Sequence, residues 1–194
     1  MREIAANAAR WVVEEGLDYG SAKRRAQKQL GLPSRSALPD NEQVEQEVRA
    51  YIELFHADTQ PAELAALRRL ALTWMQRLSA FRPHLSGAVW NGTATRHSDI
   101  HLQLFCDDPK SAEMALLNQR IRFDTQTTAG PRGELVDVLS FSDTCAELQD
   151  TIGIHLTILD HDDLRGALRP GPDGRAPRGN LQALTTCMAP ETTP

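Results

Sequence analysis

The chain has 194 residues, with 26 acidic residues against 21 Lys and Arg and a formal net charge of −5. This balance excludes a protein that coats nucleic acid with its whole surface, although a local basic patch remains open. Hydrophobic residues make up 41 % and charged residues 24 %, which is typical of a globular chain and not of a disordered or membrane-inserted one. The chain shows no apolar run of spanning length and no apolar signal core. We therefore expect a cytoplasmic protein with no membrane partner.

Apolar residues recur at helical spacing in the first part of the chain, which predicts an all-helical N-terminal region over residues 1–82. Gly16 and Gly31 are expected to end the first two helices, and Ser21 to cap the second. A third helix is predicted from Asn41. A fourth begins at Pro61, a favoured first-turn residue, and its apolar stripe is typical of the buried face of a core helix.

Alternating apolar and polar residues after Pro83 predict a β-rich domain over 83–168. The expected strands are 84–90, 100–104, 120–128, 134–141 and 154–159, with a helix over 108–117. Residues 129–133 are predicted to form the loop of a β-hairpin. Residues 169–194 begin with a stretch rich in Pro and Gly, which predicts an irregular C-terminal tail. The predicted fold class is α+β, a sheet domain preceded by helices.

One segment of the β-rich part carries a recognisable pattern. Residues Gly87–Leu102, GAVWNGTATRHSDIHL, resemble the signature of the nucleotidyltransferase superfamily, which includes DNA polymerase beta and small bacterial nucleotidyltransferases. That signature places Gly-Ser at a strand-to-helix turn and Ser-Asp-hydrophobic-Asp-hydrophobic on the next strand. Ten residues, 89–98, separate Ala88 from Asp99, which suits the family spacing, whereas a start at Gly92-Thr93 leaves only five. The resemblance implies a divergent bacterial-type member with a mixed sheet and flanking helices.

The resemblance also implies a site. A nucleoside triphosphate would bind at the turn, through Gly87, Ala88, Gly92 and Thr93. A divalent metal, Mg²⁺ or Mn²⁺, would be held by Asp99, His101 and Asp137, with Asp99 and Asp137 as the catalytic carboxylates. Side chains two apart on a strand share one face, so Asp99 and residue 101 would project together.

The third carboxylate of the family lies on a later neighbouring strand. Asp137, in Leu135-Val136-Asp137-Val138, has the matching hydrophobic-Asp-hydrophobic setting, with Glu134 as the reserve candidate.

Two positions depart from the family pattern. Ala88 stands where the family has Ser, which removes a hydroxyl contact to phosphate but leaves the backbone amides. His101 stands where the family has its second strand carboxylate. A neutral imidazole suits hard Mg²⁺ poorly and Mn²⁺ or Zn²⁺ better.

These features support two functional hypotheses. The first is a nucleotidyltransferase that transfers a nucleotidyl group from a nucleoside triphosphate to the hydroxyl of an unidentified acceptor. The alternative is a catalytically degenerate member of the fold that acts as a nucleotide-, RNA- or protein-binding module. A third hypothesis makes the N-terminal helices a protein-interaction or oligomerisation module, and the oligomeric state stays open.

Other candidate sites are weaker. A basic stretch could contact nucleic acid, but a solvated helix face is the commoner explanation; its residues are Lys23, Arg24, Arg25, Lys28 and Arg35. The acids of Asp160–Asp163 could bind a metal or cap a helix, and capping is favoured. Trp90 could stack on a base or pack over the sheet. His155 is expected to be a packed or edge residue of its strand.

Overall fold

The computed structural model describes residues 1–171 and 174–189. Its helices are α1 (Arg2–Glu15), α2 (Tyr19–Gln29), α3 (Asn41–Phe55), α4 (Gln60–Arg77), α5 (Gly87–Asn91), α6 (Lys110–Asn118) and α7 (Leu181–Met188). Its strands are β1 (His84–Ser86), β2 (Ile100–Cys106), β3 (Asp124–Ala129), β4 (Leu135–Cys145), β5 (Asp150–Asp160) and β6 (Arg178–Asn180). None of the described helices is long and apolar enough to cross a membrane.

The chain forms two compact units. The helical unit consists of Met1–Leu64 and Thr93–Ser98, and the sheet unit consists of Ala65–Gly92 and Asp99–Pro194. The sheet unit therefore starts within α4, earlier than the expected division at residue 82. The reason is that α4 packs on the sheet: the Trp74 and Phe141 rings lie 4.7 Å apart, and Trp74 Nε1 donates to Asp143 Oδ2 at 2.9 Å.

The helical unit is built around small and β-branched side chains. Its core consists of Ile4, Ala5, Ala8, Ala9, Val12, Val13, Ala22, Ala26, Val44, Val48 and Ile52. Helix α1 ends at Gly16, which is left-handed with φ 67° as the sequence predicted. Asp18, not Ser21, caps α2, because its carboxylate accepts the Ser21 amide at 2.9 Å and the helix starts one turn earlier.

The segment Thr93–Ser98 belongs to the helical unit although it lies between two elements of the sheet unit. Gln60 Nε2 donates to the Ala94 carbonyl at 2.8 Å, and Thr95 Oγ1 donates to the Val13 carbonyl at 3.1 Å. The side chains of Thr93, Ala94 and Thr95 are buried. These contacts fix the path of the chain between α5 and β2.

The sheet unit confirms the predicted α+β class, a mixed sheet with flanking helices. Its six strands are ordered β3-β4-β5-β2-β1-β6. The β2–β5 pair is parallel and the other neighbouring pairs are antiparallel. Strands β3 and β4 form the expected hairpin, with Ala129 opposite Leu135.

Two sequence expectations for the sheet unit are wrong. The strand predicted over 84–90 ends at Ser86, because Gly87 adopts a left-handed conformation with φ 70° and α5 follows at once. The tail predicted to be irregular contains β6 and α7. Strand β6 pairs with β1, and Asn180 caps α7 by accepting the Ala183 amide at 2.9 Å. The last part of that tail, 190–194, lies outside the described residues.

Candidate functional site

The register of the sheet gathers polar side chains on one face. Cross-strand partners in a sheet point to the same side, and one row of partners runs across five strands: Ser140, His155, His101, Ser86 and Arg178. We call the side that carries this row the polar face. The opposite, apolar face carries the buried Leu85, Leu102, Leu139 and Leu156.

Asp99 lies immediately before β2 and turns its carboxylate toward β5. Its Oδ2 lies 2.9 Å from His155 Nε2, and its Oδ1 accepts the Gly153 amide at 3.2 Å. The hydrogen bond from His155 holds the pKa of Asp99 below its usual value of 3.8, against an opposing effect of burial. Asp99 is therefore an ionised carboxylate, held in place by β5.

His101 stacks on His155. The two ring centroids lie 4.9 Å apart with an interplanar angle of 21°, which follows from their direct pairing in the parallel β2–β5 register. Desolvation, and then repulsion from His155, lower the pKa of His101 below its usual 6.5, while Asp99 raises it. His101 is therefore a neutral imidazole at neutral pH.

His155 also contacts a serine on its other side. Ser140 Oγ lies 2.8 Å from His155 Nδ1, and the two residues are register partners in the β4–β5 pair. Together with Asp99 this makes a continuous hydrogen-bonded chain across three strands. His155 was expected to be a packed or edge residue of its strand, and Ser140 was not among the predicted site residues. The signal that joins them is strand register, which is non-local.

Asp137 lies on the opposite side of the sheet from this chain. It is three residues from Ser140 on the same strand, and side chains alternate between faces along a strand. Asp137 Oδ1 accepts from Thr127 Oγ1 of β3 at 3.2 Å. The structure therefore does not bring Asp137 together with Asp99 and His101. The sequence prediction failed here because a hydrophobic-Asp-hydrophobic pattern does not specify which face of the sheet the Asp occupies.

The reserve candidate, Glu134, serves the hairpin loop instead. Its Oε2 accepts the Arg132 amide at 2.8 Å, and a Cβ on Gly130 would stand 2.6 Å from its Oε1. Glu134 therefore has a structural role in the β3–β4 connection.

The donor set at Asp99 does not fit a pair of hard divalent ions. It offers one carboxylate, which is already engaged by His155 and Gly153, and two imidazoles that stack on each other. Within residues 1–171 and 174–189 no group of three or more His, Cys, Asp or Glu side chains is placed to hold a metal ion. Two-metal chemistry with Mg²⁺ relies on several carboxylate oxygens around both ions. The Mg²⁺ or Mn²⁺ site of Asp99, His101 and Asp137 is therefore not formed.

The expected nucleotide turn has the strand-turn-helix form that the resemblance implied. Gly87 starts α5 and lies against His101, since a Cβ at Gly87 would stand 3.6 Å from the His101 Cδ2 atom. Ala88 is in the first turn of α5, and Gly92 ends it with φ 84°. Arg68 of α4 fixes the helix from behind, donating to the Val89 and Trp90 carbonyls at 3.0 and 3.1 Å.

Two further residues of this turn have structural contacts. Thr93 is buried and belongs to the helical unit. Its side chain is therefore not part of the turn at Gly87 in the sheet unit. Trp90 Nε1 donates to the Ala176 carbonyl at 2.8 Å, and its ring fills the space beside Gly179, where a Cβ would stand 2.2 Å from the ring. These contacts favour the packing role of Trp90 over base stacking.

The basic stretch of the helical unit is partly neutralised by its own neighbours. Arg25 pairs with Glu15 at 2.7 Å and lies 3.7 Å over the Trp11 ring. Lys23 donates to Asn41 Oδ1 at 2.9 Å. These contacts favour a structural role for α2 over a phosphate-binding one.

Of the acids at the end of β5, Asp160 acts as a helix cap, in agreement with the favoured interpretation. Asp160 accepts the Asp162 amide at 2.8 Å at the start of a short 3₁₀ helix. Asp163 pairs with Arg132 at 3.1 Å.

Comparison with known proteins gives one similar solved structure. No protein family and no curated protein matches the chain. The chain is similar to a crystal structure of the Cid1 poly(U) polymerase with MgGTP bound, with a TM-score of 0.33 and 16 % sequence identity. The similarity covers 49 % of this chain and 32 % of that one, so the chain spans about a third of that polymerase.

Proposed function

We propose that the sheet unit is a degenerate nucleotidyltransferase-like domain that binds a nucleotide on its polar face without a divalent metal. The observation that carries the proposal is the position of Asp137 on the face opposite Asp99 and His101. The polar face then presents one carboxylate where metal-dependent transfer needs several.

The proposed phosphate position is the turn between β1 and α5. Gly87 and the backbone amides that follow it offer hydrogen-bond donors to an anion. Ser86 precedes the turn, and its register partner on β6 is Arg178. A guanidinium is planar and always charged, and it matches phosphate oxygens in geometry.

Arg178 is held on the polar face by a side-chain hydrogen bond. Its Nη1 donates to Gln103 Oε1 at 2.7 Å, which holds the guanidinium over the polar face. Its Nε is buried and has no hydrogen-bond partner among the described residues. Arg178 therefore supplies the cation of the cross-strand row, although the sequence predicted an irregular tail at this position.

Equilibrium dialysis of the full chain against each of the four nucleoside triphosphates tests the proposal. One arm contains EDTA and the others contain Mg²⁺, Mn²⁺ or Zn²⁺. We expect binding of at least one nucleotide with the same Kd in EDTA as with metal. Arg178→Gln should weaken that binding about 10-fold, the effect of losing one charge-assisted contact, whereas Arg10→Gln in the helical unit should leave it unchanged.

Two outcomes would contradict the proposal. An absence of binding in every arm overturns nucleotide recognition. Binding that requires metal, together with release of pyrophosphate and transfer of label from an α-³²P nucleotide, overturns degeneracy and restores the transferase hypothesis. A His101→Asp variant calibrates the assay, because a second carboxylate beside Asp99 should introduce metal dependence.

A further inference from the structure

The hydrogen-bonded chain Asp99–His155–Ser140 has a use that does not involve a nucleotide. Both of its links are short: 2.9 Å from the carboxylate to His155 Nε2 and 2.8 Å from His155 Nδ1 to Ser140 Oγ. An acid, an imidazole and a hydroxyl in this order form the arrangement that activates a serine in unrelated folds.

The partners of His155 determine which way each proton points. An ionised carboxylate has no proton to donate, so Asp99 accepts the Nε2–H of His155. With the Nε2–H donated to Asp99, Nδ1 is the ring nitrogen of His155 that lies 2.8 Å from Ser140 Oγ and accepts the proton of the hydroxyl. Asp99 thereby favours the tautomer of His155 that carries its proton on Nε2. In this tautomer Nδ1 can act as a base toward Ser140.

The residues are placed for access as well as for geometry. Ser140 and His155 lie on the polar face, and the side chains of His155 and Asp99 are 27 % and 47 % exposed. The hydroxyl of Ser140 sits on a regular strand between β3 and β5, so its position is fixed by backbone pairing and not by a mobile loop.

We propose that Ser140 is a nucleophile with His155 as its general base and Asp99 as the residue that positions His155. The charges around it indicate the substrate class. Asp124 is the register partner of Ser140 on β3, and Asp99 lies beyond His155, so an anionic phosphate ester is repelled at this position. The proposed substrate class is therefore an uncharged carboxylic ester, which has the carbonyl carbon that a serine attacks.

The chemical step balances without an added cofactor. Ser140 Oγ attacks the ester carbonyl carbon and forms a C–O bond, while its proton passes to His155 Nδ1. The bond between the carbonyl carbon and the leaving alcohol breaks, and His155 returns the proton to that alcohol. Water then hydrolyses the acyl-serine by the same proton path.

Two reactive esters test the proposal on the full chain. One is a neutral fluorophosphonate ester, in which the serine oxygen displaces fluoride. The other is p-nitrophenyl acetate. We expect a single covalent fluorophosphonate adduct, located at Ser140 by peptide mass spectrometry, and a burst of p-nitrophenol. Ser140→Ala should abolish both.

Ser142→Ala is the matched control. Ser142 lies two residues along the same strand and on the same face, but its register partner is Gly153, which has no side chain to accept a proton. Labelling should therefore persist in Ser142→Ala. Equal labelling of Ser140 and Ser142, an adduct that survives Ser140→Ala, or no reaction with either ester would each overturn the proposal.

Asp99→Asn tests the positioning role. We expect the labelling rate to fall by about 100-fold or more, because an amide stabilises the wrong imidazole tautomer. The ¹⁵N chemical shifts of His155 should move from the Nε2–H to the Nδ1–H pattern in this variant. A slower rate with an unchanged tautomer would assign Asp99 a merely structural role and overturn its part in the proposal. Neither ester contains a nucleotide, so these results are independent of the nucleotide-binding experiment.

Discussion

Gly153 and Asp99 are in direct contact across the β5 and β2 strands, and the contact depends on the absence of a side chain at residue 153. The Gly153 amide donates to Asp99 Oδ1 at 3.2 Å, and a Cβ on this glycine would stand 2.7 Å from the carboxylate carbon. A methyl group at residue 153 therefore competes with Asp99 for the same space.

Gly153→Ala is expected to displace the Asp99 carboxylate from His155. The lost contact should lower the free energy of unfolding by about 1 kcal/mol, the usual value of one partly exposed hydrogen bond to a charged group. Urea denaturation measures this change. In a double-mutant cycle, Gly153→Ala should have little further effect on the Asp99→Ala background, because Ala lacks the carboxylate that the new methyl group would meet. Full additivity would show that the two residues act separately.

The stability of the fold should depend on pH through Asp99. Its folded pKa lies below the usual 3.8, so the ionised carboxylate stabilises the fold above that pH. This contribution is lost as pH falls from 3.8 through the folded pKa. The difference in urea midpoint between the wild type and Asp99→Asn should be constant near neutrality and shrink in acid. A difference that grows on acidification contradicts the expectation.

His101 gives a second pH dependence in a different window. Its folded pKa is depressed below 6.5, so the unfolded chain binds more protons between the folded pKa and 6.5. The free energy of unfolding therefore rises with pH through this window and levels off above it. His101→Asn should reduce the slope in the pH range just below 6.5, measured by urea midpoints. Part of the slope should remain, because burial also lowers the pKa of His84; an unchanged slope contradicts the assignment to His101.

Trp74 anchors α4 to the apolar face of the sheet. Its ring lies against Phe141, and its Nε1 donates to Asp143 at 2.9 Å. Trp74→Phe keeps an aromatic ring but removes the donor and some volume, so the free energy of unfolding should fall by about 1–3 kcal/mol.

Trp11→Phe is the control for that measurement. Trp11 also donates through Nε1, to Gln29 Oε1 at 3.2 Å, but this hydrogen bond is exposed. The loss should be smaller, about 0.5 kcal/mol. Equal losses in the two variants would mean that burial of the Trp74 contact is not what stabilises α4 on the sheet.

Local signals in the sequence were sufficient for several of the elements. The apolar-polar alternation of β2, and the five residues between β3 and β4, predicted a strand and a hairpin from neighbouring residues alone. The strand-to-helix turn at Gly87 was implied by the family resemblance, whereas the local pattern predicted a strand through residue 90; the left-handed backbone of Gly87, φ 70°, is what ends β1.

The composition of the site could not be predicted in the same way. Asp137 would share a face with Asp99 only if the pairing of β4 with β5 were shifted by an odd number of residues. The partnership of His155 with Asp99 and Ser140 depends on β2 and β5 being parallel neighbours. A one-residue change of register reverses the face of every side chain on a strand, and no local pattern in the sequence specifies it.

Strand β6 was missed for a related reason. It has three residues, Arg178–Asn180, within a stretch rich in Pro and Gly, and its structure comes from pairing with β1 and not from propensity. Gly179 is required there because the Trp90 ring occupies the space of a side chain.

The segment Thr93–Ser98 makes the helical unit discontinuous in sequence, because it lies between two parts of the sheet unit. The polypeptide leaves the sheet unit after Gly92, contributes six residues to the helical unit, and returns at Asp99. A shortened chain that begins after Arg82 would keep this segment and lose Gln60 and Val13, which bond to it. Three buried residues, Thr93, Ala94 and Thr95, would then be solvated immediately before Asp99. A chain that carries the sheet unit without the helices is therefore expected to lose the packing of this six-residue segment.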